Sequence, residues 1–583
     1  MKKFLISFLG ALTAIIVSFI LLLIFIFSQI PKEGPVYIHD NSVLHLTLNG
    51  PIEERSPKNP FEGLDVGGTR STGLNDILAN ISKAKDDPRI KGIFLDVSSI
   101  AAGYASVEEI RDALLDFKSS GKFIYSYSEL YTTKAYYLAT AADKVYLNPE
   151  GLIEFKGLSA QIMFYKGLLE KLEVDVQIFR HGKFKSAVEP FDLDKMSEAN
   201  RLQTLTYVKS IWTHVLEGIA KTRGTSVDEL NRLADDMRIQ RPWDCITYKL
   251  ADDTLYKDQL LDKLREKLGL GKKEQIRFAE MGAYTKAVVK RKATYTGPRI
   301  AVIYAAGDIL GGEGDNNSIG SEGLSRTIRE ARMDSSIKAI VLRVNSPGGS
   351  ALASEVIWRE VVLARKVKPV IVSMGDVAAS GGYYISCGAD RIFAQPNTIT
   401  GSIGVFGILP NLQHMLNNKF GITIDTVNTN KHSHLGTLLL PVSGQEGEVI
   451  QKGVEDIYGI FLKRVADGRN MSTASVDSIG QGRVWSGNDA LRIGLVDELG
   501  GLDEAIRYAA GKVKLKDYRV IYLPKQKDPL EELMQKLRGD DEESRQTLIK
   551  NALGDQYVYY EHLKKMTELK GVQARMTYDV IIY

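Results

Sequence analysis

Short β-branched runs alternate with amphipathic stretches along most of the chain. Val43-Leu44-His45-Leu46-Thr47-Leu48 alternates like a strand and runs into Asn49-Gly50. Ile90 to Val97 reads as a second strand, and Val107 to Ser119 as an amphipathic helix. The same order recurs later. Ile300 to Tyr304 precedes Ala306-Gly307, Ile337 to Val344 follows, Ala353 to Lys366 is helical, and Pro369 to Ser373 is a buried strand. Lys91 and Lys338, Tyr137 and Tyr384, and Asp143 and Asp390 are each separated by 247 positions. A fixed offset with matched residue types predicts a tandem duplication. Strands alternating with helices predict an α/β unit with largely parallel pairing in each copy. Each copy then adds a helical arm, near Ser197–Lys221 and Glu446–Gly468, and a similar coda, Asp244–Asp252 against Asp489–Asp497.

The copies are flanked by segments of different character. Phe4 to Phe27 carries no charge and is long enough to cross a bilayer as a helix. Lys2 and Lys3 precede it, and no convincing small-residue cleavage site follows. The pattern predicts a single-span anchor in the cytoplasmic membrane with the body on the extracytoplasmic side. The expected division is an anchor over 1–30, a first repeat over 31–285, a second over 286–525 and a tail over 526–583. The tail turns charged and helical near Leu530–Arg538 and Asp541–Asn551, then ends in a strand-like Tyr578–Ile582.

Composition narrows the chemistry. A chain of 583 residues exceeds one core, and with 44% hydrophobic and 25% charged residues it is globular in character. A net charge of +3 gives no case for a nucleic-acid partner. Two cysteines, Cys245 and Cys387, offer neither a disulfide framework nor a thiolate metal site. Gly311-Gly312-Glu313-Gly314-Asp315 lacks the lysine of a phosphate loop and reads as a loop only.

The copies diverge where chemistry belongs. Ser380 lies in Gly375-Asp376-Val377-Ala378-Ala379-Ser380-Gly381-Gly382-Tyr383-Tyr384, at a predicted strand-to-helix junction. Small neighbours let a substrate backbone approach the hydroxyl, although a serine there could equally be a helix N-cap. Thr133 and Lys134 stand at the corresponding places in the first copy. Ser346-Pro347-Gly348-Gly349, which could bare backbone N–H groups to an oxyanion, corresponds to Ser99-Ile100-Ala101-Ala102. A serine nucleophile needs a base. His432 and His434, alternating as on one strand face, are candidates; they could also hold a metal, but no third ligand is visible. The other candidate base is a lysine held neutral by its surroundings.

His181-Gly182-Lys183-Phe184-Lys185-Ser186-Ala187-Val188-Glu189-Pro190-Phe191 resembles the lysine motif of the long-form signal peptide peptidase A, or protease IV, family. Asp376–Tyr384, Ser346–Gly349 and Thr400-Gly401-Ser402-Ile403-Gly404-Val405 resemble that family's serine, oxyanion and second-serine motifs. The resemblance implies Ser380 as nucleophile and Lys185 as general base. It places Gly348 and Gly349 at the oxyanion hole and has Ser402 orient the lysine amine. At the 247 offset Lys185 falls on His432, so each copy would supply one member of a Ser-Lys dyad. Lys183, which on a strand would share a face with Lys185, and Lys431 are rival bases. The resemblance further implies a fold like that of crotonases and the Clp proteolytic subunit. It implies a homotetrameric dome facing the membrane, signal peptides and other extended hydrophobic peptides as substrates, and no metal or organic cofactor. Two other readings are a crotonase-like acyl-CoA enzyme on the same fold and a non-catalytic membrane scaffold.

Overall fold

The computed structural model describes residues 36–56, 72–287, 297–315, 317–526, 571–576 and 581–582, with four isolated positions before residue 36. The expected anchor over Phe4–Phe27 and the tail helices over Leu530–Arg538 and Asp541–Asn551 lie outside the described residues, apart from those isolated positions. Among the described residues no helix is long and apolar enough to cross a membrane.

The duplication is visible in strand order. In the first repeat, Arg277–Glu280, Ser42–Thr47, Ile90–Asp96, Phe123–Tyr131, Lys144–Ile153 and Asp253–Thr254 lie side by side, all parallel. The second repeats that order with Arg519–Leu523, Arg299–Ala306, Ile337–Ser346, Val370–Ala379, Arg391–Ala394 and Glu498–Leu499. Parallel strands need crossovers, and helices provide them: Tyr104–Lys118 in the first repeat, Ala351–Arg365 in the second. Ile93, Leu95 and Ile124, like Val341, Leu342 and Val372, are buried because both faces of each sheet are covered. Both arms are helices of 26 residues, Glu198–Arg223 and Gly444–Arg469. Ser197 caps the first by accepting from the Asn200 N–H, and Gly224, at φ 64°, ends it.

The repeats meet through charge as well as apolar packing. Arg343, fully buried on the second sheet, bonds Glu54 at 2.8 Å and Glu109 at 2.6 Å, both from the first repeat. Asp376, four residues before Ser380, accepts from the Ser106 N–H at 2.9 Å and from its hydroxyl at 2.6 Å. Burial and the Glu54 charge push the Glu109 carboxyl up to about 7, against the pull of Arg343. A half-satisfied buried cluster would be costly, so these contacts hold the two repeats in one register.

A third sheet crosses the join. Its order is Ser318–Gly320, Asp308–Leu310, Gly348–Ser350, Gln573–Arg575, Phe406–Asn411 and Asp175–Arg180. The last strand belongs to the first repeat and pairs antiparallel with Phe406–Asn411 of the second, from Asp175 against Asn411 to Arg180 against Phe406. The lysine motif begins immediately after Arg180, so this pairing delivers it to the other repeat.

Candidate active site

The Val370–Ala379 strand runs directly into Ser380, and the Gly381–Ser386 helix starts at the next residue. Ser380 occupies the N-cap position, yet its side chain caps nothing. Its backbone sits at φ 53°, ψ −111°, a conformation that costs about 1–3 kcal/mol for a residue with a Cβ. A serine serving only as a cap would adopt extended angles and turn its oxygen toward the helix. Here the hydroxyl is turned away instead, and it donates to the Gly404 carbonyl at 3.2 Å.

Lys185 reaches the same hydroxyl from the first repeat. Its Nζ lies 3.0 Å from Ser380 Oγ and 3.2 Å from Ser402 Oγ. The side chain is 1% exposed, and burial alone holds the amine well below its usual range. A neutral amine keeps a lone pair that can accept a hydroxyl proton. The lysine loop is pinned on both sides. Gln203 on the first arm donates to the Phe184 carbonyl at 3.1 Å and the Ser186 hydroxyl at 2.9 Å, while its own oxygen accepts from the Val484 N–H at 3.1 Å. Phe184 N–H donates to Gln481 at 2.9 Å. Gly482, at φ 81°, lies so close to Lys185 that a Cβ there would come within 2.6 Å of its backbone.

The rival bases lie elsewhere. Lys183 is exposed, and His181 to Lys185 forms turns rather than a strand, so the shared-face expectation fails. Gly182 breaks the extended run at φ 98°. His432 Nδ1 pairs with Glu446 at 2.8 Å and His434 Nε2 lies 3.8 Å from the same carboxylate. These histidines sit in turns, not alternating on a strand, and Lys431 donates to Gln445 at 3.1 Å. Among the described residues, no group of histidine, cysteine or acidic side chains has the arrangement of a metal site. Cys387 is buried packing, its thiol pushed up to about 12 by burial.

The glycine motif forms the Gly348–Ser350 strand beside the serine. Its two glycines are not equivalent. Gly348 N–H is already donated to Ser346 Oγ at 3.1 Å, whereas Gly349 faces the next strand, in register with Ala574. A Cβ on Gly348, whose φ is 105°, would lie 2.7 Å from Gly381 N, so the two segments touch. Gly381 N–H, the residue after the serine at a helix start, is therefore a donor that the motif reading did not include. Its signal was its place in sequence, next to the nucleophile candidate. Gly404 lies within the Thr400–Val405 motif but was given no role, while Gln203 and Gly482 were missed and nothing in local sequence marks them.

The first repeat shows the same geometry disabled. Thr133 Oγ1 donates to the Glu154 carbonyl at 2.9 Å. Lys134 Nζ donates at 2.5 Å to the carbonyl of Ala102, the counterpart of Gly349. A lysine thus fills the space that glycines leave open in the second repeat.

A tandem α/β protein that buries a strained serine against a lysine whose amine burial holds well below its usual range, beside a strand of glycines, has the parts of a serine hydrolase. Residues 116–271 and 363–516 match the model of peptidase family S49, one match in each repeat. The chain is similar to Protease 4 of Salmonella typhi, 36% identical over 81% of this chain and 77% of that protein. It is similar to Protease 4 of Haemophilus influenzae, 34% identical over 85% of this chain and 83% of that one. The chloroplastic serine protease SPPA of Arabidopsis thaliana is 33% identical over 92% of this chain and 78% of its own length. The chain belongs to peptidase family S49, and it is a serine peptidase.

Proposed function

We propose that the protein is a membrane-anchored endopeptidase working through a Ser380–Lys185 dyad on extended hydrophobic peptides, cleaved signal peptides among them. Ser380 Oγ attacks the scissile carbonyl while the neutral Lys185 amine takes its proton. The protonated amine then gives that proton to the leaving nitrogen, and the acyl-enzyme is released by a water that Lys185 deprotonates. Ser402 holds the amine on line. The N–H groups of Gly349 and Gly381 face the developing oxyanion, each worth about 3–4 kcal/mol where such donors have been removed. Gly348 contributes space, because any side chain there would occupy the carbonyl's position.

The 3.0 Å approach of a fully buried lysine, its amine held well below the usual range by burial, to a strained serine carries this reading. Substrate class, anchoring and assembly rest on other support. The uncharged Phe4–Phe27 stretch behind Lys2 and Lys3 favours a single span with the catalytic body on the extracytoplasmic side. An extended peptide fits a cleft edged by strands, and a homotetrameric bowl would admit such peptides while excluding folded proteins. No metal or organic cofactor takes part in the proposed steps.

Labelling tests the assignment. A serine-directed phosphonate or β-lactone should modify Ser380 alone, and Lys185→Ala should abolish both labelling and hydrolysis. Undiminished hydrolysis in Lys185→Ala would remove the lysine from the mechanism, and loss only in His432→Ala would move the base there.

A further inference from the structure

The two helical arms differ at a place that bears on the lysine. Ser197 and Ser443 are the N-cap residues of the arms, and Ser226 and Ser472 those of the short helices that follow, each pair 246 positions apart. At that spacing Tyr458 stands where the first arm has Trp212, and Asp477 where the next helix has Asn231. Both pairs are bonded: Trp212 Nε1 donates to Asn231 at 2.9 Å, and Tyr458 Oη donates to Asp477 at 2.5 Å. An indole can only donate, whereas a phenol oxygen also accepts. Tyr458 uses that second capacity and takes the Gln481 N–H at 3.1 Å.

The two short helices end differently. Val227–Asp235 closes on itself: Met237 turns at φ 49°, and the N–H groups of Met237 and Arg238 return to the Ala234 and Leu233 carbonyls. Thr473–Ile479 stops two residues earlier at the same spacing. Gln481 turns at φ 52°, but its N–H goes to the phenol and that of Gly482 to Ile403 at 2.7 Å, so neither returns to the helix. The Gln481 carbonyl accepts instead from the Phe184 N–H, and Gly482 packs against the Lys185 backbone. A Cβ on Gly182 would come within 2.5 Å of that same carbonyl oxygen, and the His181 ring stacks on Tyr458 at 4.1 Å between centres. One tyrosine and the turn it holds therefore touch the lysine motif at His181, Gly182, Phe184 and Lys185.

Resting on the Ser380–Lys185 assignment above, we infer that Tyr458 is a positioning residue for Lys185: its phenol keeps residues 480–482 unwound, and that turn sets the amine against Ser380. The phenol is buried, and burial first, then the Asp477 bond, hold it above its ordinary range. It stays protonated, its hydrogen stays on Asp477, and a lone pair stays on the Gln481 N–H. A residue with a Cβ keeps such a φ only where its surroundings fix it. Ser402, at φ 49°, is fixed in the facing segment by its N–H to Arg483 at 2.7 Å. With Ser380 these make three strained residues packed about one lysine loop. The second arm thereby positions a base that the first repeat supplies.

The experiment measures kcat, KM and the pH profile of kcat/KM on a quenched fluorogenic peptide, with a urea melt of each chain. The chains are full-length wild type, Tyr458→Phe, Tyr458→Phe with Gln481→Gly, Asp477→Ala and Lys185→Ala. Tyr458→Phe keeps the ring against His181 and removes only the hydroxyl. It should lower kcat on the order of 10²-fold with KM unchanged. It should also move the limb set by Lys185 toward 10.5, as water reaches the amine. Glycine takes φ 52° without a clash, so adding Gln481→Gly should recover about fivefold or more of the lost kcat. Asp477→Ala, which frees the phenol to turn, should move both readouts the same way by a smaller factor, and it decides the matter if Tyr458→Phe does not fold. Wild-type kcat and limb in these variants, with only the urea midpoint lowered, would overturn the inference. So would a raised KM at unchanged kcat, or no recovery with Gln481→Gly. Undiminished hydrolysis by Lys185→Ala would instead count against the dyad, whatever Tyr458→Phe does.

Discussion

Lys185 Nζ and Ser380 Oγ stand 3.0 Å apart although 195 positions separate the residues in the chain. Each comes from a different copy of one duplicated unit, and each copy has lost the other's part. The first repeat has Thr133 where the serine would be, with the adjacent Lys134 filling the cleft. The second places His432 at the lysine's offset, paired with Glu446 away from Ser380.

In the proposed mechanism Lys185 must be uncharged to act as base, so rate should rise with pH as Lys185 loses its proton. The midpoint of that limb should lie well below the usual 10.5, because burial depresses the amine. A pH–rate profile of kcat/KM checks this. Lys185→Arg, charged throughout, should lose on the order of 10³-fold or more in kcat/KM at every pH. A limb at the ordinary lysine position would contradict burial as the activating cause.

The same burial should cost stability. An unfolded Lys185 keeps its proton up to about 10.5, while the folded amine releases it at lower pH. Between those values the unfolded chain binds more protons, so stability should climb with pH through that window. Lys185→Met, of similar length and without charge, should raise the urea midpoint near neutral pH and flatten the climb. An unchanged midpoint would mean that the amine is not desolvated as described.

Glu109 carries the opposite sign. Its carboxyl is pushed from an ordinary 4.5 up to about 7, so between those values the folded state holds more protons. Stability should therefore fall as pH rises from about 4.5 to 7. Glu109→Gln should remove that slope in urea titrations at several pH values. By contrast, Arg343→Ala should cost about 3–5 kcal/mol, since it strands two buried carboxylates.

Two glycine substitutions should separate placement from fold. Gly482→Ala drives a Cβ to within 2.6 Å of the Lys185 backbone at φ 81°, so the lysine must shift. A displacement near 1 Å is expected to lower kcat on the order of 10²-fold. Gly453→Ala, on the second arm with open space around it, should leave kcat alone and stabilise by about 0.5–1 kcal/mol. Steady-state kinetics and urea melts on both variants decide it.

Much of this was legible from sequence because it is local or periodic. Alternation and β-branched runs marked the central strands, and the 247 offset marked the duplication before any contact was known. Small residues around Ser380 and the Pro-Gly-Gly turn marked places where backbone must be approached closely. The lysine was visible only through a family resemblance, since a lysine's charge state depends on burial. Lys183 would share a face with Lys185 only on a strand, and the chain forms turns there, with Gly182 at φ 98°.

Sequence alone determined two α/β copies with complementary losses, because strand and helix periodicity and duplicated spacing are properties of neighbouring residues. Tertiary structure alone decided that Gln203, Gly404 and Gly482 pack around Lys185, that Gly348 gives its N–H to Ser346, and that Gln573–Arg575 lies between Gly348–Ser350 and Phe406–Asn411. Those outcomes depend on which surfaces meet when the repeats dock. A pairing between segments hundreds of positions apart leaves no periodic trace in either one.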